Sequence, residues 1–346
     1  MGSKKSIMVG GVKIGGGAPV TVQSMTNTKT FDISGTAAQI NRLAELGCDI
    51  VRAAVPDIAA ADAIYDIKKH ISIPLVADIH FDSKLAVRAA EAGADKLRVN
   101  PGNLGGADDA RAVADICGKR GIPIRVGVNS GSLKKEIIAK HGGVTAEAMY
   151  ESAVEHITLL NRYDFDDICV SVKASSVPLT IEAYRLFSER MDYPLHLGVT
   201  EAGTEYMGIV KSSIGVGSLL ADGIGDTIRV SLTAQPDSEV KAGLAILKSL
   251  GLREGYELIS CPTCGRCGID VISIAKEVER RLEGLSRDIS VAVMGCVVNG
   301  PGEASRADYG ITGGDGEGVI FRKGIIQKKV PMDKLVEELF AAIEEN

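Results

Sequence analysis

The chain has 346 residues, of which 45% are hydrophobic and 40 are glycine, and it contains no tryptophan. These values are typical of a globular protein with two domains, or with one large barrel and an appendage, and a mainly aliphatic core. The formal net charge of -6 argues against broad nucleic-acid binding, which needs a basic surface. No apolar run is long enough to span a bilayer and no secretory signal is visible, so we expect a cytoplasmic protein.

Short β-rich runs alternate with helical runs over the first two thirds of the chain. Eight runs predict strands, at residues 19–25, 49–55, 74–80, 96–102, 123–129, 167–174, 194–201 and 227–233. Amphipathic segments such as TAAQINRLAELG separate these runs, and several end in glycine, as helix C-termini do. Eight β-then-α units with short loops predict a TIM (β/α)8 barrel over residues 1–250, and a doubly wound sheet is the alternative.

The pattern changes after Thr233, where SEVKAGLAILKSLGL predicts a helix that closes the barrel. YELISC (256–261) and ISVAVMGCVV (289–298) predict strands, with the helix DVISIAKEVERRLEGL between them. GVIFRKGIIQKKV predicts a hairpin, and MDKLVEELFAAIEEN predicts a terminal helix. These elements predict a small α+β domain over residues 251–346.

Polar side chains lie at the carboxyl ends of the predicted strands, where TIM barrels carry their chemistry. They are Arg52, Asp78, His80, Arg98, Asn100, Arg125, Asn129, Lys173, Glu201, Arg229 and Ser231. Charges inside strands are unfavourable unless they face a ligand or one another. A single arginine of this kind is most simply a structural ion pair. Five cations with only Asp78 and Glu201 to neutralise them instead predict a site for an anion with several negative charges, such as phosphate groups.

Cysteines form a second group of candidate functional residues. SCPTCGRCGIDV (260–271) places Cys261, Cys264 and Cys267 at two-residue spacing, and Cys296 follows in GCVVNGPGE. In a chain without a secretory signal, clustered cysteines favour a metal over a disulfide, and the spacing alone leaves zinc and iron–sulfur open. Three further cysteines lie singly in apolar elements and are expected to be inert core thiols: Cys48, Cys117 and Cys169.

Three motifs, VQSMTNT, SCPTCGR and MGCVVNGPGEA, resemble those of the (E)-4-hydroxy-3-methylbut-2-enyl diphosphate synthase family of the methylerythritol phosphate route to isoprenoids. The resemblance covers nearly the whole chain and corresponds to the shorter, two-domain form. It implies reductive ring opening and dehydration of 2-C-methyl-D-erythritol 2,4-cyclodiphosphate, with two electrons delivered through a 4Fe-4S cluster. It also implies flavodoxin or ferredoxin as the electron donor, and a homodimer in which each cluster domain caps its partner's barrel.

The same resemblance implies roles for individual residues. The implied cluster ligands are Cys261, Cys264, Cys296 and Glu303, and the implied acid is Glu201. The implied substrate pocket consists of Arg52, Arg98, Arg125, Asn129, Lys173, Arg229 and Ser231. The family's ligand set does not require a cysteine at Cys267, which we therefore expect to be a bystander. The main alternative is a zinc-stabilised TIM-barrel enzyme acting on another phosphate ester; an iron–sulfur sensor would leave the five cations unexplained.

Overall fold

The chain forms two compact units, Met1–Leu252 and Arg253–Asn346. The computed structural model describes residues 2–80, 82–99, 106–285, 287–296, 302, 304–314 and 316–345. Among these residues, no helix combines the length and the apolar character that crossing a membrane requires.

Strands and helices alternate in the first unit. Its strands are β1 (Ser6–Val9), β2 (Val12–Gly15), β3 (Thr21–Met25), β4 (Ile50–Ala54), β5 (Leu75–Asp78), β6 (Lys96–Val99), β7 (Ile124–Asn129), β8 (Ile168–Lys173), β9 (His196–Leu197) and β10 (Thr227–Ile228). Its helices are α1 (Ile33–Glu45), α2 (Ile58–Lys68), α3 (Ser83–Glu91), α4 (Ala107–Arg120), α5 (Lys135–Lys140), α6 (Ala146–Asn161), α7 (Val177–Arg190), α8 (Glu205–Ala221) and α9 (Pro236–Ser249).

The described strands β3 to β10 form one parallel sheet of eight strands in the order β8-β7-β6-β5-β4-β3-β10-β9. A parallel bridge between Val170 and Leu195 joins the two ends of this order and closes the ring. Each of the eight predicted strand runs contains one of these strands. The predicted TIM barrel is therefore confirmed, and the doubly wound alternative is wrong.

Aspartates fix several of the short loops that lead from strand to helix at the mouth of the barrel. Asp57 accepts a hydrogen bond from the N–H of Ala60 at 2.8 Å, and Asp82 accepts one from the N–H of Lys84 at 2.8 Å. Each carboxylate satisfies an N–H that the first helical turn cannot pair internally. The loops that carry polar residues at the mouth therefore end at defined positions.

The first unit begins with an antiparallel hairpin, β1 and β2, that the sequence analysis did not predict. The apolar side chains of this hairpin form a separate buried cluster with barrel residues: Ile7, Val9, Ile14, Ile50, Val76 and Cys169. Ile50 is the first residue of β4, so the hairpin covers the amino-terminal end of the barrel. This end is opposite the mouth where the candidate site lies.

The barrel interior above this hairpin is unusually polar. Lys96, Gln23 and His196 are buried, and their side-chain nitrogens have no protein partner within the described part of the chain. Lys96 is the first residue of β6 and is fully buried. Burial lowers the pKa of Lys96 to about 8. The folded barrel therefore disfavours the charged form of this ammonium group.

We expect Lys96→Met to raise the melting temperature at pH 7. Below the pKa of about 8 the wild-type barrel holds a buried charge that the unfolded chain exposes to water, so the charge opposes folding. Between this pKa and the ordinary value of 10.5, the unfolded chain binds the extra proton and the penalty fades. Thermal denaturation should therefore show a gain of several degrees at pH 7 and a much smaller gain at pH 10.

Lys119→Met is the matched control, because Lys119 lies exposed in the last turn of α4. This variant should melt close to the wild-type temperature at both pH values. An equal gain for Lys96→Met at pH 7 and pH 10 would contradict the argument, because the gain would then come from packing and not from the charge.

In its described residues, the second unit is a mixed sheet with two α-helices. Its elements are β11 (Tyr256–Ser260), α10 (Val271–Leu282), β12 (Ile289–Val293), β13 (Tyr309–Gly314), β14 (Glu317–Arg322), β15 (Ile325–Pro331) and α11 (Leu335–Glu344). The sheet order is β11-β12-β13-β14-β15, with β11, β12 and β13 parallel and the remaining pairs antiparallel. The predicted α+β arrangement is confirmed, and β13 is an element that the sequence analysis did not predict.

Candidate active site

The predicted cations lie on the inner face of the barrel. Val51 and Ala53 of β4 belong to the hydrophobic core between strands and helices, so Arg52 between them points to the opposite face. The same flanking by core residues holds for five more predicted site residues: Asp78, Arg98, Arg125, Lys173 and Arg229. Strand alternation therefore directs all six side chains into the barrel.

Asp78 connects two of the cations. Nη1 of Arg98 donates to Oδ1 of Asp78 at 3.2 Å, and Nε of Arg52 lies 3.7 Å from Oδ2. Nε2 of His80, a residue with an exposed side chain, lies 3.5 Å from the same Oδ2. Burial opposes ionisation of this carboxyl, but the charge of Arg52 and the contacts with His80 and Arg98 outweigh it and hold the pKa of Asp78 well below its usual range. Asp78 is therefore an ionised anchor for the arginines.

Arg125 is the deepest of these cations and is 2% exposed. Its Nη1 donates to Oγ of Ser171 at 3.0 Å, whereas its Nε and Nη2 have no protein partner among the residues described. Burial, followed by the charge of Arg98, lowers the pKa of Arg125 to about 10. Burial, followed by the charges of Arg125 and Arg229, also holds the pKa of Lys173 well below its ordinary value. These pKa shifts indicate that nearby carboxylates do not fully neutralise the positive charges. An anion at the mouth would supply the missing negative charge.

Arg229 has a carboxylate partner that the sequence analysis missed. Glu239 of α9 is buried, and its Oε1 and Oε2 accept from Nη2 and Nε of Arg229 at 3.1 and 3.2 Å. The same carboxylate accepts from Oγ of Ser24 and from the N–H of Leu232, each at 3.1 Å. The sequence does contain a signal for this role of Glu239. The residue is a glutamate on the apolar stripe of an amphipathic helix, between the buried Pro236 and the buried Gly243, Ile246 and Leu247.

Three of the remaining predicted mouth residues, Asn129, Ser231 and Glu201, lie farther out. Asn129 ends β7, and its N–H and carbonyl pair with Oγ of Ser132 at 3.3 and 3.0 Å, so it helps to cap a short helical turn. Ser231 is half-buried. Glu201 is exposed, and its φ of 53° places a non-glycine residue in the left-handed region. Asn100 lies outside the described residues. The roles assigned to these four residues stay predictions.

Two glycines provide the space that the cations occupy. A Cβ on Gly198 would lie 2.5 Å from Nζ of Lys173 and 2.6 Å from the carbonyl oxygen of Arg229. A Cβ on Gly127 would lie 2.9 Å from Nε of Arg98. None of these three distances is compatible with ordinary van der Waals contact, so Lys173 and Arg98 can take these positions only because Gly198 and Gly127 have no side chain.

The candidate cluster cysteines surround the carboxyl ends of β11 and β12. Cys261 directly follows β11, and its Sγ accepts a hydrogen bond from the N–H of Gly295 at 3.0 Å. The N–H of Cys264 lies 3.4 Å from Sγ of Cys267. Cys296 lies three residues beyond Val293, where β12 ends, so the predicted strand 289–298 extends too far. Because β11 and β12 are adjacent and parallel, both cysteine segments leave the sheet at one edge.

The cysteine side chains at this edge of the sheet are suited to hold a metal or an iron–sulfur cluster as thiolates. Backbone N–H groups directed at sulfur stabilise its negative charge, as they do in iron–sulfur proteins. The backbone N–H of Arg266, with contacts from the Arg266 and Cys267 side chains, holds the pKa of the Cys264 thiol below its ordinary value. Across the described residues, no three His, Cys, Asp or Glu side chains converge closely enough to hold a metal ion. Glu303, the predicted fourth ligand, lies outside them.

The other cysteines have the opposite environment. Cys48, Cys117 and Cys169 are buried, and burial raises the pKa of Cys48 and of Cys117 to about 12. A thiol with a raised pKa is a poor nucleophile and a poor metal ligand. The chain therefore separates three core thiols in the first unit from four accessible or half-buried thiols in the second.

Together these features define a TIM-barrel protein with a cationic mouth, followed by a thiol-bearing α+β unit. The family model described as the GcpE TIM-barrel domain matches residues 4–244, and the model described as the GcpE protein C-terminal domain matches residues 257–345. The chain belongs to the GcpE family.

Relatives agree with this assignment, and a solved structure agrees with the barrel fold. The chain is 60% identical over 341 residues to the 4-hydroxy-3-methylbut-2-en-1-yl diphosphate synthase (flavodoxin) of Caldanaerobacter subterraneus subsp. tengcongensis, covering 98% of this chain and 96% of that protein. It is 58% identical over 342 residues to the protein of the same name from Ruminiclostridium cellulolyticum, covering 99% and 97%. A dihydropteroate synthase structure from Stenotrophomonas maltophilia, at 13% identity and a TM-score of 0.52, covers 71% of this chain and 97% of its own and shows likeness of fold alone.

We expect Gly198→Ala to weaken anion binding at the mouth. The new methyl group must displace Nζ of Lys173 or the backbone carbonyl of Arg229, and a backbone carbonyl cannot move without disturbing its strand. Inorganic diphosphate, measured by isothermal titration calorimetry, should bind about tenfold more weakly or worse, which corresponds to roughly 1.4 kcal/mol.

Gly118→Ala provides a control with the same change of side chain. Gly118 lies exposed inside α4, and a Cβ there would have no neighbour within 4 Å. This variant should bind diphosphate like the wild type and should be slightly more stable, because alanine favours helix more than glycine does. Unchanged diphosphate affinity in Gly198→Ala would show that the mouth does not depend on this close approach.

Proposed function

We propose that the chain reduces 2-C-methyl-D-erythritol 2,4-cyclodiphosphate to (E)-4-hydroxy-3-methylbut-2-enyl diphosphate and water. The conversion consumes two electrons and two protons; a ring C–O bond breaks, and a hydroxyl group leaves as water. The observation that carries the proposal is the excess of buried positive charge inside the barrel of a GcpE-family chain. A compact diphosphate has the negative charge and the oxygen acceptors that such a site requires.

The residues of the barrel bind and orient this substrate. Arg125 keeps Nε and Nη2 available, and Lys173 provides a compact charge on the neighbouring strand. Asp78 and Glu239 hold the other arginines in fixed orientations, so the donors need little reorganisation when the diphosphate arrives. Because the pocket is buried, each charge–charge interaction in it is stronger than it would be in water.

We assign the redox chemistry to a 4Fe-4S cluster held by Cys261, Cys264, Cys296 and Glu303. When bound, such a cluster supplies electrons singly, which this substrate reduction needs. The backbone N–H donated to Cys261 and the low pKa of Cys264 support thiolate ligation at this edge of the sheet. We propose flavodoxin as the donor, because the relatives carry it in their names, and the cytoplasm as the compartment, because thiols stay reduced there.

We also propose a homodimer in which the cluster unit of each chain completes the active site in its partner's barrel. Mixing an Arg125→Met chain with a Cys296→Ser chain should then restore activity, because each mixed dimer has one intact pair of units. Activity that never recovers after subunit exchange, with a monomer in sedimentation experiments, would exclude this arrangement.

The central test uses anaerobically purified protein with its cluster, reduced flavodoxin and the cyclodiphosphate, with the product followed by 31P NMR. The wild type should convert the substrate, and Arg125→Met should raise KM by about tenfold to a hundredfold, because a charged hydrogen bond contributes roughly 1.5–3 kcal/mol. Arg111→Met, on the exposed face of α4, is the matched control and should leave KM unchanged. A wild type that contains zinc in place of iron, or a complete cluster without turnover, would rule out the proposed function.

Glu201 is proposed as the acid that protonates the leaving hydroxyl group. Its left-handed backbone is consistent with a functional constraint, because strained residues persist where the surrounding structure requires them. We expect Glu201→Gln to keep its cluster and its substrate affinity but to turn over at least about a hundredfold more slowly, the usual size of an acid–base contribution. Single-turnover assays with a chemically reduced cluster isolate this step from electron delivery.

Asp164→Asn is the matched control, because Asp164 is also an exposed acid with positive φ, at 55°. It loses the same charge on a similar backbone but lies between α6 and β8, in a loop that leads into the amino-terminal end of a strand and so is opposite the mouth. If Glu201→Gln and Asp164→Asn are equally active, Glu201 is not the acid. Weaker substrate binding by Glu201→Gln with normal turnover would instead indicate a structural partner of the arginines.

A further inference from the structure

The strand β3 ends in a methionine for which the proposed function has no role. Met25 is half-buried and lies directly opposite Arg52 of β4 in the parallel pairing of these two strands. Its Sδ accepts hydrogen bonds from Nε and Nη2 of Arg52 at 3.2 and 3.0 Å. One of the five cations at the mouth is therefore held by a sulfur atom.

A carboxylate lies nearby but does not take this position. Oδ2 of Asp78 lies 3.7 Å from Nε of Arg52, beyond ordinary hydrogen-bond distance, whereas Oδ1 of Asp78 accepts from Arg98 at 3.2 Å. Glu239 binds Arg229 through both carboxylate oxygens. Arg98 and Arg229 thus have an ionised partner in direct contact, and Arg52 has a neutral one.

A thioether can fix the direction of a guanidinium group without neutralising it. Methionine sulfur is a weak acceptor without charge, whereas a carboxylate in its place would cancel the charge of Arg52. Nε and Nη2 form one edge of the planar guanidinium, and a carboxylate or phosphate can bind such an edge through both N–H groups. Because Met25 occupies this edge, the other N–H groups of Arg52 are the ones available to a ligand.

The charge of Arg52 keeps much of its effect in this environment. Burial lowers the pKa of Arg52 well below its ordinary value, Asp78 opposes this shift, and the charges of Arg125 and Arg229 add to it. A negatively charged ligand would relieve the repulsion among these cations. Such a ligand gains most from a cation that no protein carboxylate neutralises.

We propose that Met25 is a positioning residue of the diphosphate site, which orients Arg52 through its sulfur and leaves the charge of the arginine to the ligand. The inference rests on the proposed function for the identity of this ligand. It requires two properties of the side chain at position 25, which must accept hydrogen bonds from the guanidinium and must be neutral. Leucine lacks the first property, glutamate lacks the second, and glutamine has both.

The experiment measures the binding of inorganic diphosphate by isothermal titration calorimetry, with the full-length protein purified anaerobically. Met25→Leu keeps a similar volume without an acceptor and should bind about threefold to tenfold more weakly, the effect of a lost neutral hydrogen bond. Met25→Gln should bind within about twofold of the wild type, because it restores a neutral acceptor. Met149→Leu, which changes a methionine in the core beneath α6, is the matched control and should bind like the wild type.

Met25→Glu separates a positioning role from a packing role. Its carboxylate should pair with Arg52 and relieve the repulsion among the buried cations, so the melting temperature of the protein should rise. The same carboxylate should weaken diphosphate binding by at least about tenfold, because it competes with the ligand for a charged hydrogen bond. If Met25 only fills space, Met25→Glu should instead lower the melting temperature, and that result would count against the inference.

Two binding results would overturn the inference. One is an unchanged diphosphate affinity in Met25→Leu, and the other is equally weak binding by Met25→Leu and Met25→Gln, because shape and not the acceptor would then decide. A crystal structure of the substrate-free wild type needs no variant that folds. It should show Sδ of Met25 at hydrogen-bond distance from Nε and Nη2 of Arg52, and direct pairing of Arg52 with Asp78 in its place would also overturn the inference.

These measurements do not depend on turnover, because the ligand is inorganic diphosphate. A wild type that binds diphosphate but does not convert the cyclodiphosphate would defeat the proposed function and leave the comparison of the Met25 variants valid.

Discussion

The first unit depends on how the five cations at the mouth, together with Lys96 nearer the amino-terminal end, can share the inside of one barrel. Each of them loses hydration there, and each repels the others; burial and mutual repulsion together lower the pKa of Arg52, Arg125 and Lys173. A buried charge without compensation destabilises a protein by several kcal/mol. Asp78 offsets part of this repulsion for Arg52 and Arg98, and Glu239 does so for Arg229. The charge that remains favours an anionic ligand at the mouth.

The hairpin at the amino-terminal end of the barrel follows from the same constraint. A polar interior that was open at both ends would be hydrated from both sides, and its charges would be screened by water. Ile7, Val9 and Ile14 close one end with a small apolar cluster. The polar interior is thereby separated from solvent at that end, and the cations act in a medium where each charge has a larger effect.

The barrel and the inward-facing side chains of its site could be predicted from the sequence, because successive residues of a strand point to opposite faces of the sheet. Apolar strands flanked by glycine and helical runs are local signals, and a charge at alternate positions of such strands is conspicuous. The strand pattern did not predict Glu239, because this residue lies on a helix, although a glutamate on the apolar stripe of a helix is itself a signal. The residue contacts around Asp78 could not be read from sequence, because they depend on which strands become neighbours in space.

The two unpredicted strand elements were missed for different reasons. The hairpin β1 and β2 has short strands and a Gly-Gly turn, and a search for β-then-α units passes over it. The strand β13 reads YGITGG, and glycine weakens a strand locally. Tertiary packing overrides this weakness, because a Cβ on Gly310 would lie 2.2 Å from the ring of Phe321 on the neighbouring strand. Local strand propensity therefore could not predict β13, because the glycine that weakens it is needed to make room for the ring of Phe321.

Glycines without a positive φ are informative in both units. Gly127, Gly198 and Gly295 do not need a left-handed backbone, so turn formation does not explain them. Each lies against a polar atom that approaches the backbone closely: Arg98 Nε, Lys173 Nζ and Cys267 Sγ. At Gly310 the close neighbour is a phenylalanine ring, and the glycine serves packing alone. The chemical nature of the atom that fills the space therefore distinguishes a glycine beside polar side chains from a glycine that packs against an aromatic ring in a core.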